Sequence, residues 1–245
     1  MTSVTSAVRA DLAGTGKVRA GINYGNSILA KKDAATGASS GVAIDLARDV
    51  AQRLGVPLEI VAYDTVAAMV DAAKSGAWDI AFLGIDPARE NEIGFTAAHL
   101  HIEATYLVPG DSPLRAVADV DREGVRVAAP ARANYELYLG RSLKRAELVR
   151  AVSHDAAFDL LVKGQVHALA GLRQALFGLA DKLPRSRMVD GNFMVVPQAI
   201  GVPRGRDAGL AFLRTVVEKA KASGLVARAI EKTGARGVSV APPAP

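Results

Sequence analysis

The chain has 245 residues, half of them hydrophobic and 22% charged, with a formal net charge of +5. That much apolar material sustains packed cores and excludes a disordered or low-complexity chain, while no apolar run approaches the roughly 18 residues that cross a bilayer. The absence of cysteine excludes disulfides, thiolate nucleophiles, Cys-based zinc sites and iron–sulfur clusters; basic residues scattered among few aromatics lack the clustered stripe of a nucleic-acid surface.

Short β-branched runs alternate with longer helical patterns. Lys17–Asn23 reads as a strand, followed by a Gly-, Asn-, Ala- and Ser-rich loop from Tyr24 to Ser40. Apolar residues from Val42 to Leu54 then recur at helical spacing until Gly55-Val-Pro57 stops them. Pro57–Ala62 reads as a strand, Val66–Ser75 as a helix ended by Gly76, and Trp78–Gly84 as a near-continuous apolar strand. Such a strand is expected to be buried on both faces of a parallel sheet, so the first hundred residues form a βαβαβ unit. Asp86 and Pro87 open a short helix as N-cap and first residue, and Glu103–Pro109 is strand-like.

A second βαβ series follows. Gly124–Ala129, Ala146–Val152 and Val166–Ala170 read as strands, and Asn134–Leu143, His154–Lys163 and Arg173–Asp181 as helices. Phe193–Val202 is a strand whose internal Pro197 places it at an edge or bends it. Asp207–Ser223 is a long amphipathic helix with Asp207 as expected N-cap. Leu225–Thr233 is a last helix, and Ala241–Pro245 is expected to fray. Boundaries near Leu107 and Val196 divide the chain into a discontinuous unit, 1–106 plus 197–245, and a continuous unit, 107–196.

Three stretches carry a resemblance. Val18-Arg-Ala-Gly-Ile-Asn23 looks like an opening strand; Gly41-Val-Ala-Ile-Asp-Leu-Ala47 runs on to Arg53-Leu-Gly-Val56; Ser75-Gly-Ala-Trp-Asp-Ile80 leads to Arg89-Glu-Asn-Glu-Ile-Gly-Phe-Thr96. Their order and spacing resemble the type II periplasmic solute-binding proteins, family 3, whose members bind amino acids and related carboxylates for ABC transporters. The resemblance implies an α/β fold of two lobes, each a mainly parallel sheet flanked by helices and joined by hinge strands, with ligand held between them. It implies a small carboxylate ligand, an ABC permease of the inner membrane as partner, and neither cofactor, metal, nucleic acid nor membrane insertion. A periplasmic location follows from the family. Met1–Arg9 shows no basic region ahead of an apolar core, so a cytoplasmic location is expected if Met1 is the native start.

The same resemblance nominates ligand-binding residues. Arg89 stands six residues before Phe95-Thr96, where the family's arginine forks onto the ligand carboxylate; a guanidinium donates two parallel hydrogen bonds that an ammonium cannot match. Gly84 ends the preceding strand, and Asp86 either caps the short helix or also meets a ligand cation. Asn23, Tyr24, Asn26 and Ser27 are expected to form a wall. In the second lobe Asn134 is the side chain suited to capping its helix, and Arg132 brings a second positive charge. Where the family commonly has an aspartate for the ligand's α-ammonium, this chain has Leu172 followed by Arg173. Because an unpaired ammonium is costly to bury, that replacement disfavours α-amino acids and favours a second carboxylate, with Arg173 as its contact.

Two other readings compete. A dehydratase-type enzyme on the same fold needs an acid or base at the ligand, for which His99, His101, Glu103 and His167 are candidates; His99 and His101 would share a strand face, too few for zinc. A ligand-sensing module without catalysis is the other. The expectation is a binder and not an enzyme.

Overall fold

Three apolar runs supply the backbone of the first unit in this computed structural model, which describes residues 4–244. Residues 1–3, where the export-signal reading begins, and Pro245 of the tail lie outside the described residues. Helix α1 (Ser6–Ala13) precedes β1 (Val18–Asn23), and two-residue strands β2 (Lys31–Lys32) and β3 (Ser39–Ser40) pair within the following loop. Then come α2 (Val42–Leu54), β4 (Leu58–Tyr63), α3 (Val66–Asp71), β5 (Ile80–Gly84), a 3-10 turn (Pro87–Arg89) and β6 (Ile93–Phe95). Strand β1 pairs in parallel with β4 on one side and β5 on the other, an arrangement that needs a crossover helix between each pair. The apolar stripe of α2 is buried from Val42 to Leu54, and Gly55 ends the helix in the left-handed conformation at φ 67°. All five residues of β5 are buried.

Trp78 is fully buried, and its indole N–H donates to Met69 O at 2.9 Å. Gly21 makes room for that ring, since a Cβ there would lie 3.2 Å from it. Around it gather Met69, Val70, Ala73, Ala81, Leu83 and Ile93.

The chain leaves this unit after His101, within β7 (Leu100–Val108), and returns at Pro197, within β12 (Met194–Pro203). Between them lie β8 (Arg126–Pro130), α4 (Asn134–Ser142), β9 (Glu147–Ala151), α5 (His154–Val162), β10 (Ala168–Leu172), α6 (Arg173–Ala180) and β11 (Arg187–Met188). Here β8 pairs in parallel with β9 and β10, and β10 pairs antiparallel with β7. The second unit has its own core of Leu107, Ala128, Ala157, Leu161, Val166, Leu169 and Leu176. The first unit closes with α7 (Asp207–Ala222), α8 (Leu225–Thr233) and β13 (Val238–Val240).

Several sequence expectations are corrected. Asp207 is the first helical residue of α7 and Arg206 the cap, with no side-chain cap bond. Asp11 of α1 takes the capping role instead, its Oδ2 accepting the Gly209 N–H at 2.8 Å. Asn134 likewise lies one residue inside α4, whose cap is Ala133. Strand β12 is not an edge within the first unit: it pairs with β5 and with β6. Pro197 is tolerated because its carbonyl is what the ladder uses, accepting Ile85 N–H at 2.9 Å. The tail does not fray at Ala241, which is buried and donates its N–H to His99 O.

Candidate functional site

In open α/β sheets ligands sit beyond the carboxyl ends of the parallel strands. At that edge of the first unit β1 ends in Asn23 and its neighbour β5 ends in Gly84, bringing together the residues nominated on both. Arg89 is 4% exposed, and its Nη1 donates to Gly84 O at 2.6 Å. The fold thus keeps a guanidinium inside the protein at the end of β5 and ties one of its nitrogens to that strand. Asp86 is buried and caps the turn that carries Arg89: its Oδ1 accepts Ala88 N–H at 2.9 Å, and Arg89 N–H donates to Asp86 O at 2.9 Å. Pro87 occupies the first position of that turn, where its fixed φ costs nothing.

The loop after β1 is built by its own polar side chains. Asn23 Oδ1 accepts Gly25 N–H at 2.9 Å and Asn26 Oδ1 accepts Ile28 N–H at 3.2 Å, turns that asparagine makes readily. Tyr24 shares a 2.5 Å hydrogen bond between its hydroxyl and Ser39 Oγ, fastening the loop to β3. Ser27 is half-buried in the same loop. Thr96 of the Phe95-Thr96 pair is buried and structural. Its hydroxyl donates to Ala97 O and accepts Ile200 N–H, joining the end of β6 to β12.

In the second unit the nominated residues again follow parallel strands, Arg132 and Asn134 after β8 and Arg173 after β10. Arg132 is exposed and adopts φ 63°; Asn134 is buried. Arg173 is committed to its own unit, with Nε donating to Glu103 Oε2 at 2.5 Å and Nη2 to Gly191 O at 2.7 Å. Leu172 is buried and opposite Ala104 in the β10–β7 ladder. Successive strand residues face opposite sides, so Glu103 lies on the other face from Leu172.

The candidate acid–base groups lie just before and within β7 and just before β10. His99 precedes β7 and is fully buried, while His101 lies on the strand and is half-buried. Desolvation, then Lys221, lowers the His99 pKa to about 3 and moves that of His101 in the same direction. Among the described residues neither His99 ring nitrogen has a hydrogen-bond partner. His167 Nδ1 accepts Arg126 N–H at 2.9 Å, and Glu103 is held by Arg173. Among the described residues no three His, Asp or Glu side chains gather as a metal site, and no helix is long and apolar enough to cross a membrane.

Sequence reasoning took Asp79 only as part of the Ser75–Ile80 stretch and passed over Glu136, and both carboxylates are almost buried. Glu136 could have been found from its place in the first turn of a helix, where a glutamate reaches back to preceding backbone N–H groups.

The family model for bacterial extracellular solute-binding proteins, family 3, matches residues 25–235. The glutamine-binding protein of Geobacillus stearothermophilus is 25% identical over 191 residues, covering 76% of this chain and 72% of that one. Among solved structures, the solute receptor for L-cysteine of Neisseria gonorrhoeae aligns with TM-score 0.79 at 21% identity, over 94% of this chain and 93% of that one. An ancestral amino acid-binding protein, a precursor of cyclohexadienyl dehydratase, aligns with TM-score 0.76 at 23% identity, over 93% and 99%. The two structural matches speak to fold, that of two-lobed periplasmic binding proteins. The family match spans most of the sequence, and the chain belongs to the bacterial extracellular solute-binding proteins, family 3.

Proposed function

We propose that this solute-binding protein captures a small carboxylate-bearing ligand for an ABC importer, working outside the inner membrane with a permease and without catalysing a reaction. The observation that carries the reading is Arg89, a guanidinium held inside the first unit at the carboxyl end of β5, with Nη1 on Gly84 O. A planar donor fork on a rigid mount suits a carboxylate far better than a neutral group. Asn23 and Tyr24 at the end of the adjoining strand, with Asn26 in the same loop, complete this reading in the first unit. Asn134 and Arg132 are its members in the second.

The ligand in this reading is not a standard α-amino acid. Leu172 is apolar and buried where the family's acid would meet an ammonium, and Glu103 is on the opposite strand face and engaged by Arg173. An ammonium buried without a partner costs several kcal/mol after the surroundings relax. Relatives named for glutamine and L-cysteine make this the point on which experiment bears. Calorimetry with glutarate and succinate against L-glutamine and L-cysteine tests it: tighter binding of the acids without an α-ammonium supports the reading, and tighter binding of the amino acids rejects it.

A further inference from the structure

A buried histidine and one helix of the first unit hold the segment that follows β13. The His99 backbone is used in both directions. Its N–H donates to Gln198 O of β12 at 2.8 Å, and its carbonyl accepts the Ala241 N–H at 3.2 Å. Ala241 is itself buried. Two further bonds fasten the same segment to α7: Lys221 Nζ donates to Pro242 O at 2.7 Å, and Glu218 Oε2 accepts the Ala244 N–H at 3.3 Å. Lys221 and Glu218 pair with each other at 2.7 Å, and the Lys221 side chain is only 6% exposed. All of these residues belong to the first unit.

The His99 ring lies beside this network without joining it, since among the described residues neither of its nitrogens has a partner. Phe82 of β5 packs edge-on against the ring, Gln198 of β12 is neutral, and residues 241–244 carry no ionisable side chain. The charge that acts on the ring is Lys221 of α7, of like sign to a protonated histidine, and the carboxylate of Glu218 is engaged by that lysine. His101 of β7, half-buried, responds to the same lysine. A proton on His99 therefore sets two cations near each other in a buried setting, and an unpartnered buried charge is costly. Opening that returns the ring to water removes the cost. The element with least to lose gives way first: α7 is buried along Val216, Val217 and Ala220 and β5 throughout, whereas residues 242–244 are exposed.

We propose that residues 241–244 form an acid-released strap: proton uptake at His99 sets its ring against Lys221, and the strap lifts from His99 O, Lys221 and Glu218 while the rest of the unit stays folded. With the strap closed the ring remains neutral, its pKa lowered to about 3 by burial and then by Lys221; with the strap open it titrates near the ordinary histidine value of roughly 6.5. Between those values each unit of falling pH favours the open form about tenfold.

Amide hydrogen exchange followed by NMR on the full chain, corrected for intrinsic rates, tests the strap at Ala241, with the amides of β5 as reference. From pH 7 to pH 5 protection at Ala241 is expected to fall about twentyfold, and to lie below that of β5 at both values. Protection that is the same at both pH values overturns the release. Protection equal to that of β5 throughout also overturns it, because the segment then opens only with the whole unit. His99→Phe is expected to remove most of the pH dependence, and a full twentyfold fall in that variant overturns the role of His99. Lys221→Met cuts the bond to Pro242 O and is expected to lower Ala241 protection at pH 7 about fivefold, the scale of one hydrogen bond; unchanged protection there overturns the fastening through α7.

Discussion

Asp79 and Arg206 meet across 127 residues of sequence, with Arg206 Nη1 donating to Asp79 Oδ1 at 2.8 Å. The same carboxylate accepts Arg19 Nε, Nη2 and backbone N–H at 2.8–3.0 Å, and Arg206 also donates to Asp11 O. One almost buried carboxylate therefore fastens the entry to α7 onto β1 and α1. Burial alone would raise its pKa, but the Arg19 and Arg206 hydrogen bonds outweigh that and hold it below the usual carboxylate value.

Asp79→Asn is accordingly expected to cost about 3 kcal/mol, because it leaves two partly buried guanidinium groups without their counter-charge. The pH dependence has a definite sign. A lowered folded pKa contributes stability that is fully present above about pH 4 and is lost as pH falls through the lower folded value. Urea denaturation at neutral pH should show the full difference between parent and variant, and near pH 3 a smaller one.

His99 acts in the same sense at milder acidity. Its folded pKa is lowered to about 3 by desolvation and by Lys221. Below the unfolded value of roughly 6.5 the unfolded chain takes up a proton that the folded protein refuses. Stability should fall by about 1.4 kcal/mol for each pH unit over that range, from this residue alone. The groups facing it do not offset this: Phe82 packs edge-on against the ring at 6.0 Å, and Lys221 is a like charge. Thermal melts from pH 7 to pH 4.5 should show a steep decline in the parent and a flatter one in His99→Phe. Parallel curves would assign the acid sensitivity elsewhere.

Arg89→Lys keeps a cation on a long stem but loses the planar fork, and carboxylate affinity is expected to fall about a hundredfold. Arg89→Ala is a poorer test, since it also removes the bond to Gly84 O and opens space in a buried position. Calorimetry on the lysine variant with glutarate, beside its melting temperature, distinguishes lost recognition from lost folding.

How far the sequence could be read follows from what each element buries. Strand β5 and helix α2 are apolar enough to declare themselves, and Gly55 marks the α2 terminus through a conformation only glycine adopts easily. Helix α1 was missed because it buries only Val8, Leu12 and Ala13, too few to establish a period. Its worth lies in a tertiary contact: Gly209 is pressed against Leu12 and donates to Asp11. The nominated residues stand at or after the ends of β1, β5, β8 and β10. What spacing could not reveal is side-chain commitment. The Arg173 Nε bond to Glu103, 70 residues earlier, is a tertiary pairing that spacing does not show, and so is the bond of buried Glu136 to Arg150.

The second positive-φ arginine allows a test in which two substitutions move in opposite directions. Arg185 has φ 69°, and its carbonyl oxygen would lie 2.0 Å from a Cβ placed on Gly110. The contact is backbone to backbone, so no rotamer change can relieve it, and Gly110→Ala must shift one of the two loops. A cost of about 2 kcal/mol or more is expected, the range of overpacking without slack. Arg185→Gly removes the crowding of a left-handed L-residue and should stabilise by up to about 1 kcal/mol. Both substitutions lie in the second unit. Urea midpoints at constant slope measure them directly, and an alanine at position 110 that leaves the midpoint unchanged would show that the two loops are not in contact.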